Sequence, residues 1–318
     1  MLVAEPGQGS ASHKLAEIFR YGQHHTALRM RLWMPASTHL ALESPWHPLA
    51  RPELLLAQPH PAPALLLLSD AADWRQAHRI YGSRPDLPRL HLLQGADLRH
   101  WGHGALRQPA IRVALGEGVA ACLRAQVPLR EPLHVLPMAL DPDCLPRPPL
   151  LKQGVVLLAR DHPALGLAVQ GALRERGLSC RCEFSPWPRD RWQQELADAA
   201  VAVVLASPEG VPGLGLRRLS AMALGTALVV EERPEDDGLL RDGRNARVRL
   251  GDPRELAQAA AELLQDADQR SRLVQGGKAT LLRHRTALER LRWQALLADL
   301  DQHWAEARAA HATPAPQP

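Results

Sequence analysis

The stretch LASPEGVPGLGLRRLSAMALGTALVV, residues 205–230, decides how this chain is read. An apolar run, VAVVLA at 201–206, enters it, and a second, ALVV at 227–230, ends it. Between them stand one acid, Glu209, two prolines, and Gly210, Gly213 and Gly215, followed by an amphipathic segment. Short aliphatic runs linked through helices are the pattern of strands buried on both faces of a parallel sheet. A glycine-rich turn opening a helix bares backbone N–H groups at the positive end of the helix dipole, which suits an anion. Gly213 and Gly215 let a ligand approach the backbone, and Glu209 can accept hydrogen bonds from hydroxyls. On pattern alone, a plain strand-to-helix connection fits equally well.

The same alternation runs through most of the chain and predicts an α/β architecture. Strands are expected near 1–5, 27–33, 64–69, 89–94, 110–114 and 133–136, with helices such as SHKLAEIFRYG and EGVAACLRAQ among them. The proline-dense DPDCLPRPPL, 141–150, interrupts the pattern and reads as a linker. Strands are expected again at 154–159, 179–184, 201–206 and 227–230. Asp252 followed by Pro253 marks a strong helix start, and 267–310 reads as wholly helical.

Composition narrows the function classes. With 318 residues, 46% hydrophobic and 23% charged, the chain can bury a core and suits two domains better than one. MLVAEPGQGS has no basic, apolar leader pattern, and ALLLLS at 64–69 is too short to span a bilayer, so a soluble chain is expected. The formal charge is +4 and the pI about 9.2, but the arginines are scattered among acids. That argues against nucleic acid as a partner, while a mild basic bias suits contact with an anionic membrane surface. Of the four cysteines, Cys122, Cys144, Cys180 and Cys182, only the last two are close. Their Cys-x-Cys spacing is neither a zinc nor a thioredoxin pattern, and they read as small, reduced, strand-borne hydrophobes on one face. His91, His100 and His103 lack carboxylate or cysteine partners at ligand spacing, so no metal is expected.

The segment SPEGVPGLGLRRLSAMALGTALVV resembles the signature of retaining GT-B glycosyltransferases of family 4, in divergent form. PWPRDRWQQELADAAVAVVLAS and LLRDGRNARVRLGDPRELAQAAAELLQDADQR resemble the stretches that flank it in that family. HVLPMALDP, PRLHLLQGADLRHW and PAIRVALGEGVAACL resemble later strands of the family's first domain. The resemblance implies two Rossmann-like doubly wound domains facing across a cleft: an acceptor domain over 1–146 and a nucleotide-sugar domain over 147–287. A helix over 288–312 is then expected to cross back to the first domain, and 313–318 to be a frayed tail.

By the same resemblance the chain would move a sugar, with retention, from a nucleotide-sugar donor to a glycan or lipid-linked acceptor. The implied setting is bacterial cell-surface polysaccharide or lipopolysaccharide synthesis, in the cytoplasm or at the inner face of the membrane, with no cofactor or metal. Arg160 and the N–H groups of Gly213, Leu214 and Gly215 would hold the diphosphate. Glu209 would hold sugar hydroxyls, Ser220 would face the ribose, and Gln94 with Asp97 would line the acceptor side. Gly7 and Gly9 match a glycine-rich turn where donor and acceptor approach. Three positions depart from the family. Ser220 stands where the second glutamate of a Glu-(seven residues)-Glu pair is usual, Pro212 where the first is, and Leu165 where a donor-binding lysine precedes glycine. Those changes keep a second reading open: a catalytically degenerate protein of this shape that serves as a binding or assembly partner.

Overall fold

The computed structural model describes residues 2–3, 15–16, 18–19, 30–33, 55–56, 58–69, 71–93, 103–206, 215–232 and 239–312. The chain divides into two units, Met1–Pro137 with Arg290–Pro318, and Met138–Glu289. The division falls upstream of the proline-rich stretch, where Pro142–Cys144 form a 3-10 turn capped by Asp141. Ala139 and Leu140 are already buried in the second unit.

The first unit is built on β1 (Leu2–Val3), β2 (Leu32–Trp33), β3 (Leu55–Leu56), β4 (Leu66–Leu68), β5 (Arg89–Leu93), β6 (Ile111–Ala114) and β7 (Leu133–Val135). They form a parallel sheet in the order β3-β2-β1-β4-β5-β6-β7. Helices α1 (Ala71–Tyr81), α2 (His103–Leu106) and α3 (Glu117–Gln126) lie between strands in the chain. Leu66 and Leu68 pack with Trp74 and Tyr81, while Leu93 and Ala114 pack with Val119 and Leu123. Strands covered on both faces need no polar alternation, which is why β4 reads as a continuous aliphatic run, whereas β5, Arg-Leu-His-Leu-Leu, buries Arg89 and His91 as well.

The second unit holds β8 (Val155–Leu158), β9 (Cys180–Glu183), β10 (Val201–Val204), β11 (Ala227–Glu231) and β12 (Arg247–Arg249). Its parallel sheet runs β12-β11-β10-β8-β9. Helices α4 (Pro163–Arg174), α5 (Arg189–Asp198), α6 (Leu216–Leu224), α7 (Pro253–Gln265) and α8 (Ala267–Leu281) complete it. Alternate residues serve opposite faces: Val155, Leu157, Val201 and Val203 in one core cluster, Val156, Leu158, Ala202 and Val204 in another. Asp252 caps α7 by accepting from Arg254 N at 2.6 Å and Glu255 N at 3.2 Å, with Pro253 as the first helical residue. Lys152 fastens the end of α5: its Nζ donates to the carbonyls of Leu196 (3.2 Å) and Ala197 (2.5 Å) and to Thr226 Oγ1 (2.8 Å). Burial pushes this amine down to about 8.

Helices α9 (Thr286–Ala298) and α10 (Leu300–Ala312) end the described chain. The helical stretch expected over 267–310 is therefore interrupted. At the first break His284 Nδ1 lies 2.8 Å from Met138 O, and Arg285 bridges to Leu140. From Arg290 onward the chain belongs to the first unit, where Trp304 Nε1 donates to Asp86 O at 3.0 Å. His311 Nε2 stands 2.8 Å from Glu131 Oε2. Glu131 in turn accepts from Arg112 Nε at 2.5 Å, and Arg112, on β6, is fully buried. Its Nη2 donates to the carbonyls of Ala105 (3.0 Å) and Gln108 (2.6 Å), and its Nη1 lies 2.6 Å from His91 Nδ1. Burial first, and then the neighbouring Arg112 charge, hold His91 well below the usual imidazole range, so it is a neutral acceptor for the arginine.

Candidate active site

In the second unit the strand order reverses between β8 and β10: from β8 the chain moves out to β9, then returns past β8 to β10 and on to β11 and β12. In open α/β sheets ligands bind outside the carboxyl ends of the strands at such a reversal. The residues that lie there follow directly. β8 delivers Arg160, Asp161 and His162; β9 ends in Glu183; β10 leads to Ala206; β11 ends in Glu231.

Helix α6 begins at this edge. Gly215 is its N-cap, with φ 63°, a left-handed conformation that favours glycine, and among the described residues no side chain caps the first turn. No acid stands in that turn either, and Arg217 and Arg218 occupy it. Cations at the positive end of a helix dipole oppose it, so the local field favours an anion beside them. Arg217 Nη2 donates to Glu183 Oε1 at 2.8 Å, and its Nη1 is 4.0 Å from Asp161 Oδ2. Arg160 Nε donates to Asp161 Oδ1 at 2.9 Å. Two guanidiniums and two carboxylates thus converge from β8, β9 and α6.

The carboxylates differ in depth. Glu183 is fully buried; its Oε1 also accepts from Trp187 N at 3.2 Å, while its Oε2 has no hydrogen-bond partner. Burial pushes its carboxyl above the usual range, against the pull of Arg217. Asp161 is 39% exposed and Arg160 26%, so that pair faces water and can exchange partners. Glu231, beside them, accepts from Ala206 N at 3.3 Å and lies 3.7 Å from His162 Nδ1. Among the described residues no three His, Cys, Asp or Glu side chains are grouped to hold a metal ion.

Residues 159–298 match a family model described as glycosyl transferase-like. Solved structures agree over nearly the whole chain at low identity. HepE of Anabaena, in complex with UDP and glucose, is 14% identical, with a TM-score of 0.74 over 93% of this chain and 98% of that one. Sucrose-phosphate synthase of Thermosynechococcus elongatus is 12% identical, with a TM-score of 0.65 over 94% and 98%. The lipopolysaccharide outer core galactosyltransferase WaaB, in its apo form, is 12% identical, with a TM-score of 0.60 over 94% and 99%. No protein of curated function matches in sequence. The chain has the GT-B fold.

On this GT-B frame some of the expected site residues can be placed. Arg160 sits at the carboxyl end of β8, and Gly215 opens α6, both at the strand reversal. Ser220 lies within α6, fully buried, and its Oγ has no hydrogen-bond partner among the described residues. Leu165 packs against the core cluster of α4, β8 and α7, so an aliphatic side chain fills the lysine's place. At Gly166 a Cβ would lie 2.3 Å from Ala159 Cβ and 2.9 Å from Phe184, so α4 can approach β8 only with glycine. Gly7, Gly9, Gln94, Asp97, Glu209, Pro212, Gly213 and Leu214 lie outside the described residues.

Sequence reading missed Asp161, Glu183, Arg217 and Glu231. A signal existed for three of them. Glu183 and Glu231 are acids that end strands, and Arg217 is a base in a first helical turn, where acids are the norm. Asp161 gave none, because only its pairing with Arg160 distinguishes it.

Proposed function

We propose that this GT-B protein is a retaining glycosyltransferase that takes a sugar from a nucleotide-sugar donor and passes it to a hydroxyl of a glycan or lipid-linked acceptor. The observation that supports this most is the meeting of Arg160, Arg217 and the glycine-led start of α6 at the strand reversal of the glycosyl transferase-like unit. A diphosphate is the anion such a set suits: backbone N–H groups, a fork-shaped guanidinium at the surface, and a second one behind it. Those same groups would stabilise the charge that appears on the leaving nucleoside diphosphate as its bond to the anomeric carbon breaks.

In the proposed reaction the acceptor oxygen joins the face that the phosphate leaves, and the departing phosphate oxygen takes the acceptor's proton. No strong protein base is then required, in keeping with Gln94 at the expected acceptor position. Glu209 and Glu231 supply carboxylates for donor hydroxyls; Ser220, fully buried within α6, would meet the ribose only once its hydroxyl is uncovered. Gly7, Gly9, Asp97, Gly213 and Leu214 keep the roles expected of them. Neither a metal nor a cofactor is invoked. We place the work in cell-surface polysaccharide or lipopolysaccharide assembly in bacteria, at the cytoplasmic side of the membrane; among the described residues no helix is long and apolar enough to cross it.

Leu165 favours one other reading, a degenerate protein that binds a partner without turnover, because it replaces a cation with a hydrocarbon. Calorimetric titration of UDP, GDP, ADP and dTDP separates the two. Micromolar binding of one nucleotide that disappears in Arg160→Ala supports the enzyme. Absence of binding by all four supports the partner role. Slow release of free sugar from the matching nucleotide sugar then identifies turnover.

A further inference from the structure

Cys180 and Cys182 stand on β9, which pairs only with β8 among the described strands and forms the edge of its sheet. Residues two apart on a strand share a face, and here both thiols lie half-buried against α4. Their Sγ atoms are 3.3 Å apart, a hydrogen bond in which either thiol can donate. Gln170 Nε2, on α4, donates to Cys182 Sγ at 3.1 Å. The hydrogen bond from Cys180 holds the Cys182 thiol below its ordinary range, with help from Gln170 and the Arg174 charge. The same bond, followed by burial, pushes Cys180 up. The pair is therefore asymmetric: Cys182 is the sulfur that also receives the Gln170 N–H, which favours its thiolate form over that of Cys180.

We infer that Cys180 and Cys182 are a peroxide-oxidisable dithiol, with Cys182 as the attacking sulfur and Cys180 as the resolving one. The chemistry balances with hydrogen peroxide as the oxidant. The Cys182 thiolate attacks one peroxide oxygen, the O–O bond breaks, and hydroxide leaves and is protonated to water, giving a sulfenic acid. Cys180 sulfur then attacks Cys182 Sγ; the S–O bond breaks, and a second water departs with the Cys180 proton. Two thiols and one peroxide become one disulfide and two waters. The sulfurs start in contact, but a disulfide also needs Cβ atoms closer than an extended strand holds them, so closure must kink β9. Cys180 pairs with Val155 and Cys182 with Leu157, so the kink falls inside that ladder, one residue before Glu183. An edge strand tolerates it best, because only one neighbour loses bonds.

The test uses the full chain carrying Cys122→Ser and Cys144→Ser, with wild type mapped in parallel in case the double change harms folding. Peroxide should remove both remaining thiols, with a loss of two hydrogens in intact mass and one peptide holding the 180–182 disulfide. Reductant should restore both. Cys180→Ser should stop at a dimedone-trapped sulfenic acid on Cys182, and Cys182→Ser should consume peroxide at least about tenfold more slowly. The inference is overturned if both thiols survive peroxide, if oxidation runs to sulfinic acid with no disulfide, or if the two single variants exchange behaviours. None of these outcomes depends on the proposed transferase activity.

Discussion

Arg217, in the first turn of α6, donates through Nη2 to Oε1 of Glu183, the last residue of β9, at 2.8 Å. This contact joins the helix start to the edge of the sheet in the second unit. Glu183 is fully buried and Arg217 nearly so, with 15% of its side chain exposed. Removing one member of such a pair leaves a charge without compensation in a medium that solvates it poorly.

Arg217→Ala should therefore lower the stability of the second unit by about 3 kcal/mol, read as a shifted urea midpoint. It should also weaken binding of whichever nucleoside diphosphate the titrations select, while leaving binding of its nucleoside unchanged, since the guanidinium is proposed to meet the phosphates. Arg217→Lys should restore part of both. If calorimetry shows that nucleotide and its nucleoside weakened equally, Arg217 acts on the shape of the pocket and not on the anion.

Glu183 gives a pH signature. Its carboxyl is raised in the fold, so between its unfolded value, near 4.5, and the folded one the native state binds more protons than the unfolded state. Stability contributed by this group falls as pH rises through that window. Measured against Glu183→Gln, wild type should lose ground as urea titrations move from pH 4.5 upward, then run parallel to it.

Lys152 works in the opposite sense. Its amine is pushed down to about 8 in the fold, against 10.5 when free, so above pH 8 the unfolded chain binds the extra proton. Stability should rise with pH from 8 toward 10.5. Lys152→Met should abolish that rise in thermal melts. A wild-type curve that is flat over the range would contradict the assignment.

Two glycines on α4 should respond with opposite signs. Gly166→Ala places a methyl against Ala159 and should destabilise by about 1–3 kcal/mol through overpacking. Gly171, where a Cβ meets nothing within 4 Å, should gain roughly 0.5–1 kcal/mol as alanine. Paired denaturation curves decide both.

Oxidation should reach the anion site. Closing the 180–182 disulfide disturbs the strand that presents Glu183, so peroxide-treated protein should bind the nucleoside diphosphate selected by titration more weakly than reduced protein. The variant carrying Cys180→Ser and Cys182→Ser should bind equally with and without peroxide.

The fold was legible where strands are buried on both faces, since aliphatic runs such as VAVV and VVLL have no other use at that length. Strands that lack this signature escaped. β12 is Arg-Val-Arg on a sheet edge, and β3 is two leucines inside a proline-rich stretch. Arg160 was legible because it follows a strand that was itself legible. The Arg217–Glu183 pair was not, because its members are 34 residues apart and meet only when β9 and α6 are brought to one edge. Local pattern carries no record of that encounter. Helix breaks at 282–285 were equally hidden, since they answer to Met138 and Leu140 far away in the chain.

The return of Arg290–Pro318 to the first unit has a consequence for synthesis. The second unit, Met138–Glu289, is one continuous segment and can finish as soon as it clears the ribosome. The first cannot: Asp86 waits for the Trp304 indole, and the buried Glu131 for His311, both made after the second unit is complete. Translation thus completes the later unit first, and a nascent chain that stalls before Arg290 leaves the opening sheet without its closing helix.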